Sequence, residues 1–253
     1  MKVFFLVLAR DEKHVAQKIQ ELKVLAVPFL IVCGSKLNSP NVIYRTPRGK
    51  YDAINFGFRF IPEDTAVVVL NDVDTGIKNF KDALCQFQSY DIALLFAKPC
   101  IKEGPQMLFS RMLDQIRRRL LVTAAGDLML IRYDVFRKIV PIPTCKAEDS
   151  YLLFKVLELG YKCVFCEKCY VETEKTKTLE KEEIYKRRTV CGIYQALSYT
   201  NPPYAIKIFY TLLPIFSPLL LFFGRKGYSW MKGILGGLID YLQGDKGGAW
   251  SAY

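Results

Sequence analysis

The chain has 253 residues, of which 51% are hydrophobic, so it can bury one complete α/β domain and still have apolar sequence left over. Its 36 lysines and arginines outnumber 25 aspartates and glutamates, which gives a formal charge of +11. This charge favours anionic partners, namely nucleotide phosphates, lipid phosphates or nucleic acid, but it does not choose among them. The sequence contains no internal repeat and no low-complexity stretch, which excludes a repeat array.

Strand and helix patterns alternate along the N-terminal part of the chain. Strands are predicted at residues 3–8, 29–33, 66–70 and 92–97, and helices at 12–25, 49–60 and 79–89. This βαβα order predicts an α/β fold with a mostly parallel sheet flanked by helices. The first apolar run is too short for a secretion signal, so we expect a reducing cytoplasm, where the eight cysteines need not form disulfides.

The part that follows is less regular. Helices are predicted at residues 106–121, 133–139 and 148–159, and a short strand at 128–131. The last of these helices opens with Glu148 and Asp149, and the helix dipole favours carboxylates in a first turn. Ordinary N-capping produces the same pattern, so these two acids do not by themselves indicate a site.

Asp72-Val73-Asp74 comes directly after the apolar run 66–70, so both carboxylates lie at the C-terminal end of a predicted buried strand. Open α/β sheets bind their ligands at this edge. Mg²⁺ and Mn²⁺ take one or two protein oxygens and fill their other positions with water and substrate phosphates. Asp72 and Asp74 therefore predict a divalent cation and a phosphorylated substrate, although a simple turn or helix cap would explain an isolated pair as well.

Cys163, Cys166 and Cys169 form a competing chemical signal with the spacing C-x2-C-x2-C. A zinc or iron–sulfur site usually needs four ligands, so this reading requires one more side chain. The candidates for that fourth ligand are Cys145, Cys191 and the single histidine, His14. The alternative is that residues 161–171 form a strand that carries small buried thiols, with or without one disulfide.

Several short motifs follow one another in an order that resembles family 2 glycosyltransferases. In chain order they are residues 9–12 (Ala-Arg-Asp-Glu), 49–57, Asp72-Val73-Asp74, 126–132, 147–149, and Arg187-Arg188 with Gly192. Each motif is weak alone, but the ordered set covers roughly the first 200 residues. The resemblance implies a GT-A fold, a nucleotide-diphosphate-sugar donor and an inverting transfer assisted by Mg²⁺ or Mn²⁺.

The resemblance also implies roles for individual residues. Asp72 and Asp74 would hold the metal across the donor diphosphate, and Asp149 would be the general base that deprotonates an acceptor hydroxyl. If the acceptor is a polyprenyl phosphate, its oxygen is already ionised, and Asp149 would mainly orient it. The implied donor-binding positions are Ala9, Glu12, Lys50, Asp72 and Arg188. The implied positions for acceptor phosphates are Arg111 and Arg187.

The sequence departs from the family pattern at several places. Thr189 replaces an aromatic residue, and Tyr185 stands where processive members often have glutamine, which argues against a processive polysaccharide synthase. Cys33-Gly34-Ser35-Lys36 follows the second strand, where many relatives carry aspartates that contact the base. The choice between UDP and GDP is therefore open.

The C-terminal sequence is the best indication of the acceptor. Residues 204–223 are apolar over a length that could cross a bilayer, but Pro214 and Pro218 would kink them, so a bent hairpin or an interfacial helix is equally compatible. Residues 228–242 are apolar and rich in glycine and aromatics, which fits the lipid headgroup zone. Two core helices of a soluble protein are the alternative interpretation.

The sequence thus predicts a GT-A catalytic domain at residues 1–200 and an apolar helical membrane-associating region at 201–253, located at the cytoplasmic face of the cell membrane. The expected donor is a nucleotide-diphosphate sugar and the expected acceptor is lipid-linked, either a polyprenyl phosphate or a glycan carried on one. No nucleic-acid partner is expected. The alternatives are an inactive GT-A-like scaffold, which the intact acids argue against, and a nucleotidyltransferase, which would not need the apolar tail.

Overall fold

The protein is described by a computed structural model that covers residues 1–89, 91–101, 103–174 and 176–245, so residues 246–253 of the predicted C-terminal region lie outside the described part. The strands are β1 (Val3–Ala9), β2 (Phe29–Cys33), β3 (Val42–Tyr44), β4 (Val67–Asp72), β5 (Thr75–Lys78), β6 (Ile92–Ile101), β7 (Leu128–Arg132) and β8 (Lys162–Thr173). The helices are α1 (Val15–Leu25), α2 (Lys50–Phe58), α3 (Phe80–Ser89), α4 (Gln106–Arg119), α5 (Tyr133–Ile139), α6 (Glu148–Glu158), α7 (Leu179–Tyr199), α8 (Tyr204–Phe216) and α9 (Gly224–Leu242), with a short 3-10 helix (Ser217–Phe223) between the last two.

The strands form one sheet in the order β3-β2-β1-β4-β7-β6-β8-β5. Four of the seven strand pairings are parallel and three are antiparallel, so the prediction of a mostly parallel sheet is confirmed. β7 runs antiparallel between β4 and β6. Because β1 pairs in parallel with both β2 and β4, the carboxyl ends of these three strands meet at one edge of the sheet.

Both faces of the central strands are covered. The even-numbered residues of β1 pack into a core with α2, α5 and α6, whereas its odd-numbered residues pack into a second core with α1 and α3. A sheet covered on both faces needs strands that are apolar at nearly every position, which explains the continuous apolar runs in β1 and β4. Gly57 lets α2 approach β1 closely, because a Cβ there would lie 2.5 Å from a methyl carbon of Leu6.

Some predicted boundaries were wrong. α1 begins at Val15 rather than at residue 12, because His14 adopts a left-handed conformation (φ 66°) that interrupts the helix. β3 and β5 were not predicted, because three and four residues are too few to show a strand pattern. β6 extends past its predicted end at residue 97 to Ile101, after an irregularity between Ala97 and Lys98.

The three closely spaced cysteines are part of β8. Cys163, Cys166 and Cys169 are buried free thiols, and Cys145 is a free thiol on a separate loop. The backbone N–H of Cys169 donates to Sγ of Cys166 at 3.4 Å. In the described ranges, no group of three or more His, Cys, Asp or Glu side chains is arranged to hold a metal ion.

The C-terminal region begins as an α-helix and then changes character. α8 ends at Phe216, between Pro214 and Pro218, and the chain continues as the 3-10 helix. A second bend follows at Gly224, where φ is +62°. Since Gly tolerates this backbone conformation better than other residues, α9 can start in a new direction.

α9 packs closely against α7. Gly233 and Gly237 face α7, and a Cβ at Gly237 would lie only 2.6 Å from the carbonyl oxygen of Arg187. Two ion pairs join the same helices: Arg187 to Asp240 at 2.6 Å and Lys232 to Glu183 at 3.0 Å. One face of the segment predicted to lie among lipid headgroups is therefore covered by protein.

This packing predicts opposite effects at two adjacent glycines. Gly237→Ala should lower the free energy of unfolding by about 1–3 kcal/mol, because its Cβ would press on the backbone of α7. Gly236→Ala meets only the flexible side chain of Arg187, nearest atom 3.1 Å, and should be neutral or stabilising by up to about 1 kcal/mol through helix propensity. Chemical denaturation measures the free energy of unfolding of both variants. Equal free energies would contradict the close approach of α9 to α7 at Gly237.

Candidate active site

A cleft of about 560 Å³ opens at the carboxyl ends of β1 and β4. Its walls come from the loop after β1, the β4–β5 turn, the start of α2, the start of α6 and the middle of α7. Of the residues that the sequence predicts as functional or neighbouring acids, six line this cleft: Lys50, Asp72, Asp74, Glu148, Asp149 and Arg188. Residues far apart in the chain thus meet at the edge where open α/β sheets bind ligands.

Asp72 and Asp74 flank the tight turn between β4 and β5. Asp72 is the last residue of β4 and is half-buried, whereas Asp74 is exposed in the turn. The backbone N–H of Asp72 donates to the carbonyl oxygen of Asp127 at 3.3 Å, and Oγ1 of Thr75 donates to the carbonyl oxygen of Asp72 at 2.8 Å. Hydrogen bonds to the N–H and to the carbonyl of Asp72 therefore help to fix the turn that carries the two carboxylates.

Lys50 connects two of the acidic groups. It is the first residue of α2, and its Nζ lies 2.5 Å from Oδ2 of Asp72 and 3.8 Å from Oε1 of Glu148. Gly49, just before it, has φ of +128°, a conformation that other residues rarely adopt and that lets the chain enter the helix here. A single ammonium group thus links the ends of β4, α2 and α6.

The carboxylates crowd one another. Burial raises the pKa of Asp72 to about 6, Lys50 opposes this rise, and Asp74 and Asp127 add to it. Burial likewise raises the pKa of Glu148 to about 7 against the nearby Lys50 charge. Burial works against the charge of Lys50, but Asp72 and Glu148 outweigh it and raise the pKa of the lysine. Lys50 alone therefore does not balance the acids that surround it, and Arg188 and Lys146 line the same cleft.

Asp149 lies in the first turn of α6, where its Oδ1 accepts the N–H of Ser150 at 2.8 Å. Gly126 leaves room for it, because a Cβ at Gly126 would lie 2.9 Å from the Cβ of Asp149. Gly192 of α7 touches the loop just before α6, and a Cβ there would lie 2.5 Å from the backbone nitrogen of Ala147. Two glycines thus set the position of the loop that carries Asp149.

Arg188 and Tyr185 face the cleft from α7, with the guanidinium of Arg188 5.8 Å from the centre of the Tyr185 ring. Arg187 points away from the cleft and pairs with Asp240 of α9. Consecutive residues of an α-helix project about 100° apart, and the orientation of α7 turns Arg188 towards the cleft and Arg187 towards α9. The structure brings Arg188, but not Arg187, to the acids.

Three other predicted residues do not line the cleft in the described part of the chain. Ala9 is fully buried at the end of β1, where its carbonyl accepts the N–H of Gly34 at 3.0 Å. Glu12 is exposed in the turn before α1, and Arg111 is exposed on α4. On the same helix, Arg117 is buried and pairs with Asp114 at 2.9 Å, so it is a structural residue.

Two of the cleft residues to which the sequence motifs assign no role contribute to the structure of the cleft. Asp127 is buried, and its carbonyl also accepts from Nδ2 of Asn71 at 2.7 Å, so it supports the β4–β5 turn. Lys146 lines the cleft and pairs with Asp245, just beyond α9, at 2.6 Å. Asp127 lies within the motif 126–132 and could have been singled out there. No local pattern marks Lys146, because its partner is 99 residues away.

The chemistry of the cleft fits a hard divalent cation. Asp72 and Asp74 offer carboxylate oxygens, and a dication would relieve the repulsion between them and Asp127. Mg²⁺ and Mn²⁺ commonly take only one or two carboxylates from the protein and complete their coordination with substrate phosphates and water. A two-carboxylate site therefore suits a metal that arrives with a phosphorylated ligand.

The sequence matches no protein-family model and no curated protein. Solved structures of similar shape exist. The mannosyltransferase PcManGT from Pyrobaculum calidifontis, in complex with GDP-Man and Mn²⁺, is 13% identical with a TM-score of 0.69, over 94% of this chain and 86% of that chain. A mycobacterial protein is 12% identical with a TM-score of 0.50, over 77% of this chain and 74% of that chain.

GalNAc-T7 with UDP, GalNAc and Mn²⁺ is 10% identical with a TM-score of 0.56; the match covers 96% of this chain but only 58% of that chain. At these identities the likeness establishes the fold alone. The prediction of a GT-A-like α/β fold, a mostly parallel sheet flanked by helices with an apolar helical C-terminal region, is confirmed.

Proposed function

We propose that the protein is a metal-dependent glycosyltransferase, related to family 2, that moves a sugar with inversion from a nucleotide-diphosphate sugar to a lipid-linked acceptor. The observation that carries this proposal is the convergence of Asp72, Asp74, Asp149, Lys50 and Arg188 on one cleft at the carboxyl edge of the sheet. The similarity in shape to glycosyltransferase structures determined with a nucleotide sugar or its products and Mn²⁺ supports it.

In this proposal Asp72 and Asp74 hold Mg²⁺ or Mn²⁺. When bound, the metal supplies positive charge that stabilises the departing nucleoside diphosphate. Lys50 and Arg188 present cations to the same phosphates, and an arginine can bind two phosphate oxygens at once. Ala9 and Glu12 remain assigned to the nucleotide by resemblance, and Arg111 and Arg187 to acceptor phosphates, although none of these four lines the cleft.

Asp149 acts on the acceptor. It accepts the proton of an acceptor hydroxyl while that oxygen attacks the anomeric carbon from the face opposite the diphosphate, which inverts the configuration. The tight contacts at Gly126 and Gly192 hold its loop in place, so the base does not have to be repositioned in each cycle. With a polyprenyl phosphate acceptor, which is already ionised, Asp149 orients the acceptor instead.

A lipid-linked acceptor is supported by an exposed apolar surface on α8 and the 3-10 helix. We call it the apolar ridge; it consists of Ile208, Leu212, Ile215, Phe216, Leu219 and Phe222. Apart from the adjacent pair Ile215 and Phe216, they are three or four residues apart, which places them along one side, and Phe222 is 88% exposed. Soluble proteins rarely expose contiguous apolar patches of this kind, whereas a lipid surface would cover them.

The charge and the dimensions favour a protein that lies on the membrane. Arg225 and Lys226 are exposed directly after the ridge, where they can meet anionic headgroups. Tyr204–Leu242 is long and apolar enough to cross a bilayer. However, the 13 residues of α8 span only about 20 Å, less than the hydrocarbon core of about 30 Å, and the chain bends after them.

We therefore propose shallow insertion through residues 204–223, with residues 1–200 as the catalytic domain and 201–253 as the membrane-associating region. The cytoplasmic face is the proposed location, and the eight free thiols are consistent with a reducing compartment. No nucleic-acid partner is part of this proposal.

The first test is nucleotide release from a panel of UDP- and GDP-sugars with membrane lipid extract, in Mn²⁺, in Mg²⁺ or in EDTA. Wild type should release one nucleotide only with metal and lipid present.

Asp74→Ala should lower turnover about a hundredfold or more by removing a metal ligand. Asp149→Asn should do the same with a hydroxyl acceptor, because the general base is lost. A smaller loss in Asp149→Asn would indicate a phosphate acceptor.

Asp64→Asn is the matched control, because Asp64 pairs with Lys2 at the amino end of β1, away from the cleft. It should keep wild-type turnover. If the protein binds the donor but shows no turnover with any acceptor or metal, the inactive scaffold is favoured. If it releases pyrophosphate from a nucleoside triphosphate and a sugar phosphate, the nucleotidyltransferase is favoured.

The second test is flotation with vesicles of anionic and zwitterionic lipid. Phe222→Asp and Ile215→Asp should each weaken binding about tenfold or more, since each replaces an exposed apolar side chain with a charge. Val24→Asp is the control, because Val24 is 85% exposed on α1 and should not affect flotation. If wild type fails to float and instead dimerises through the ridge, the membrane proposal is wrong.

A further inference from the structure

Lys18 is a buried charge that has no role in the proposed reaction. It lies on α1 and is only 2% exposed. Its Nζ donates to Oε2 of Glu21 at 2.7 Å, to Oδ1 of Asn71 at 2.9 Å and to the backbone carbonyl of Thr75. An ammonium group has three protons, so these three acceptors use all of them.

Two of these acceptors bracket the acid turn. Asn71 immediately precedes Asp72, and Thr75 immediately follows Asp74. Nδ2 of Asn71 donates to Oγ1 of Thr75 at 2.9 Å, and that hydroxyl donates in turn to the carbonyl of Asp72 at 2.8 Å. Lys18 therefore closes a chain of hydrogen bonds that joins both ends of the turn beneath the cleft.

Glu21 completes the arrangement from the next turn of α1. Its Oε1 accepts the backbone N–H of Ile77 at 2.6 Å, while its Oε2 accepts from Lys18. The pair therefore fastens α1 to the end of β4 and to the first residues of β5. Asn71 and Thr75 are themselves buried, and their side chains find hydrogen-bond partners within the protein.

Stability alone does not account for a lysine at this position. Burying an ammonium group is unfavourable even when it is fully paired, and apolar side chains of similar size commonly stabilise a protein as well or better. What an apolar residue cannot do is bind Asn71 and the carbonyl of Thr75 at the same time. Such a residue would remove two hydrogen bonds to the turn, and the remaining bonds, among them those to Asp127 and those within the turn, would then set its orientation.

We propose that Lys18 is a positioning residue that sets the β4–β5 turn so that the carboxylates of Asp72 and Asp74 converge on one divalent cation. The proposal rests on the proposed function in one respect only, namely that this turn is the metal site. Lys18 touches neither metal nor substrate and acts through Asn71 and Thr75.

The variants are chosen to separate positioning from stability. Lys18→Met alone leaves the partly buried carboxylate of Glu21 without its partner, and it leaves Asn71 and the carbonyl of Thr75 without their donor, so it is expected to lower the melting temperature. The double variant Lys18→Met with Glu21→Gln removes both charges, and the glutamine oxygen still accepts from Ile77. Leu22→Ala is the control, because Leu22 is fully buried on the same helix and its truncation lowers stability while it leaves every hydrogen bond from Lys18 and Glu21 in place.

Two measurements decide the outcome. Hydrogen exchange of the amides of residues 73–77 should be about tenfold faster in the double variant than in wild type. The melting temperature of the double variant should nevertheless be higher than that of Lys18→Met. Titration with MnCl₂ in the presence of UDP or GDP, followed by the EPR signal of free Mn²⁺, should give about tenfold weaker binding. Leu22→Ala should have a lower melting temperature than wild type but the same affinity for Mn²⁺.

Wild-type exchange in the turn of the double variant would overturn the proposal and leave Lys18 as a structural residue. Wild-type Mn²⁺ affinity with fast exchange would overturn it too, because the metal site would then tolerate a loose turn. If wild-type protein binds no Mn²⁺ with either nucleotide, the metal site of the proposed function fails, and that result is distinct from the exchange measurement on the turn.

Discussion

Lys50 reaches from the first residue of α2 to carboxylates on two other elements, Asp72 at the end of β4 and Glu148 at the start of α6. The rest of the cleft depends on this interaction, because partly buried acids repel each other and lose hydration. Lys50 thus offsets part of the repulsion between these acids, and Arg188 and Lys146 add positive charge to the same cleft. The cluster around Lys50 nevertheless keeps carboxylate oxygens in Asp72 and Asp74 that suit a divalent cation.

Helix α7 forms the opposite wall and connects the cleft to the C-terminal region. On one side Gly192 admits the loop that carries Asp149, and on the other side Gly233 and Gly237 of α9 allow close packing against it. Oε1 of Gln195, also on α7, accepts the N–H of Lys146 at 2.9 Å, so the helix fixes that loop at two points. The C-terminal region is thus part of the packing that shapes the cleft.

Much of the fold could be predicted because the central strands are apolar at nearly every position and the helices between them are amphipathic. The meeting of Asp72 with Lys50 and Glu148 could be predicted from the resemblance and from the edge of the sheet at which strand ends converge. The separation of Arg187 from Arg188 could not, since the orientation of α7 is set by α9, a partner about 50 residues away in sequence. For the same reason nothing local marks Lys146, whose partner Asp245 follows α9.

The apolar ridge and the cleft share buried anchors. Tyr210 of α8 donates its hydroxyl proton to the carbonyl of Val122 at 2.8 Å, and Val122 begins the segment that leads to Gly126 and Asp127. The hydroxyl of Tyr194 on α7 donates to the carbonyl of Tyr210 at 2.8 Å. These two hydrogen bonds connect the helix that carries the ridge to two walls of the cleft. If the ridge binds a lipid surface, as we propose, these bonds would give that surface and the cleft a fixed orientation, which a flexibly tethered anchor would not.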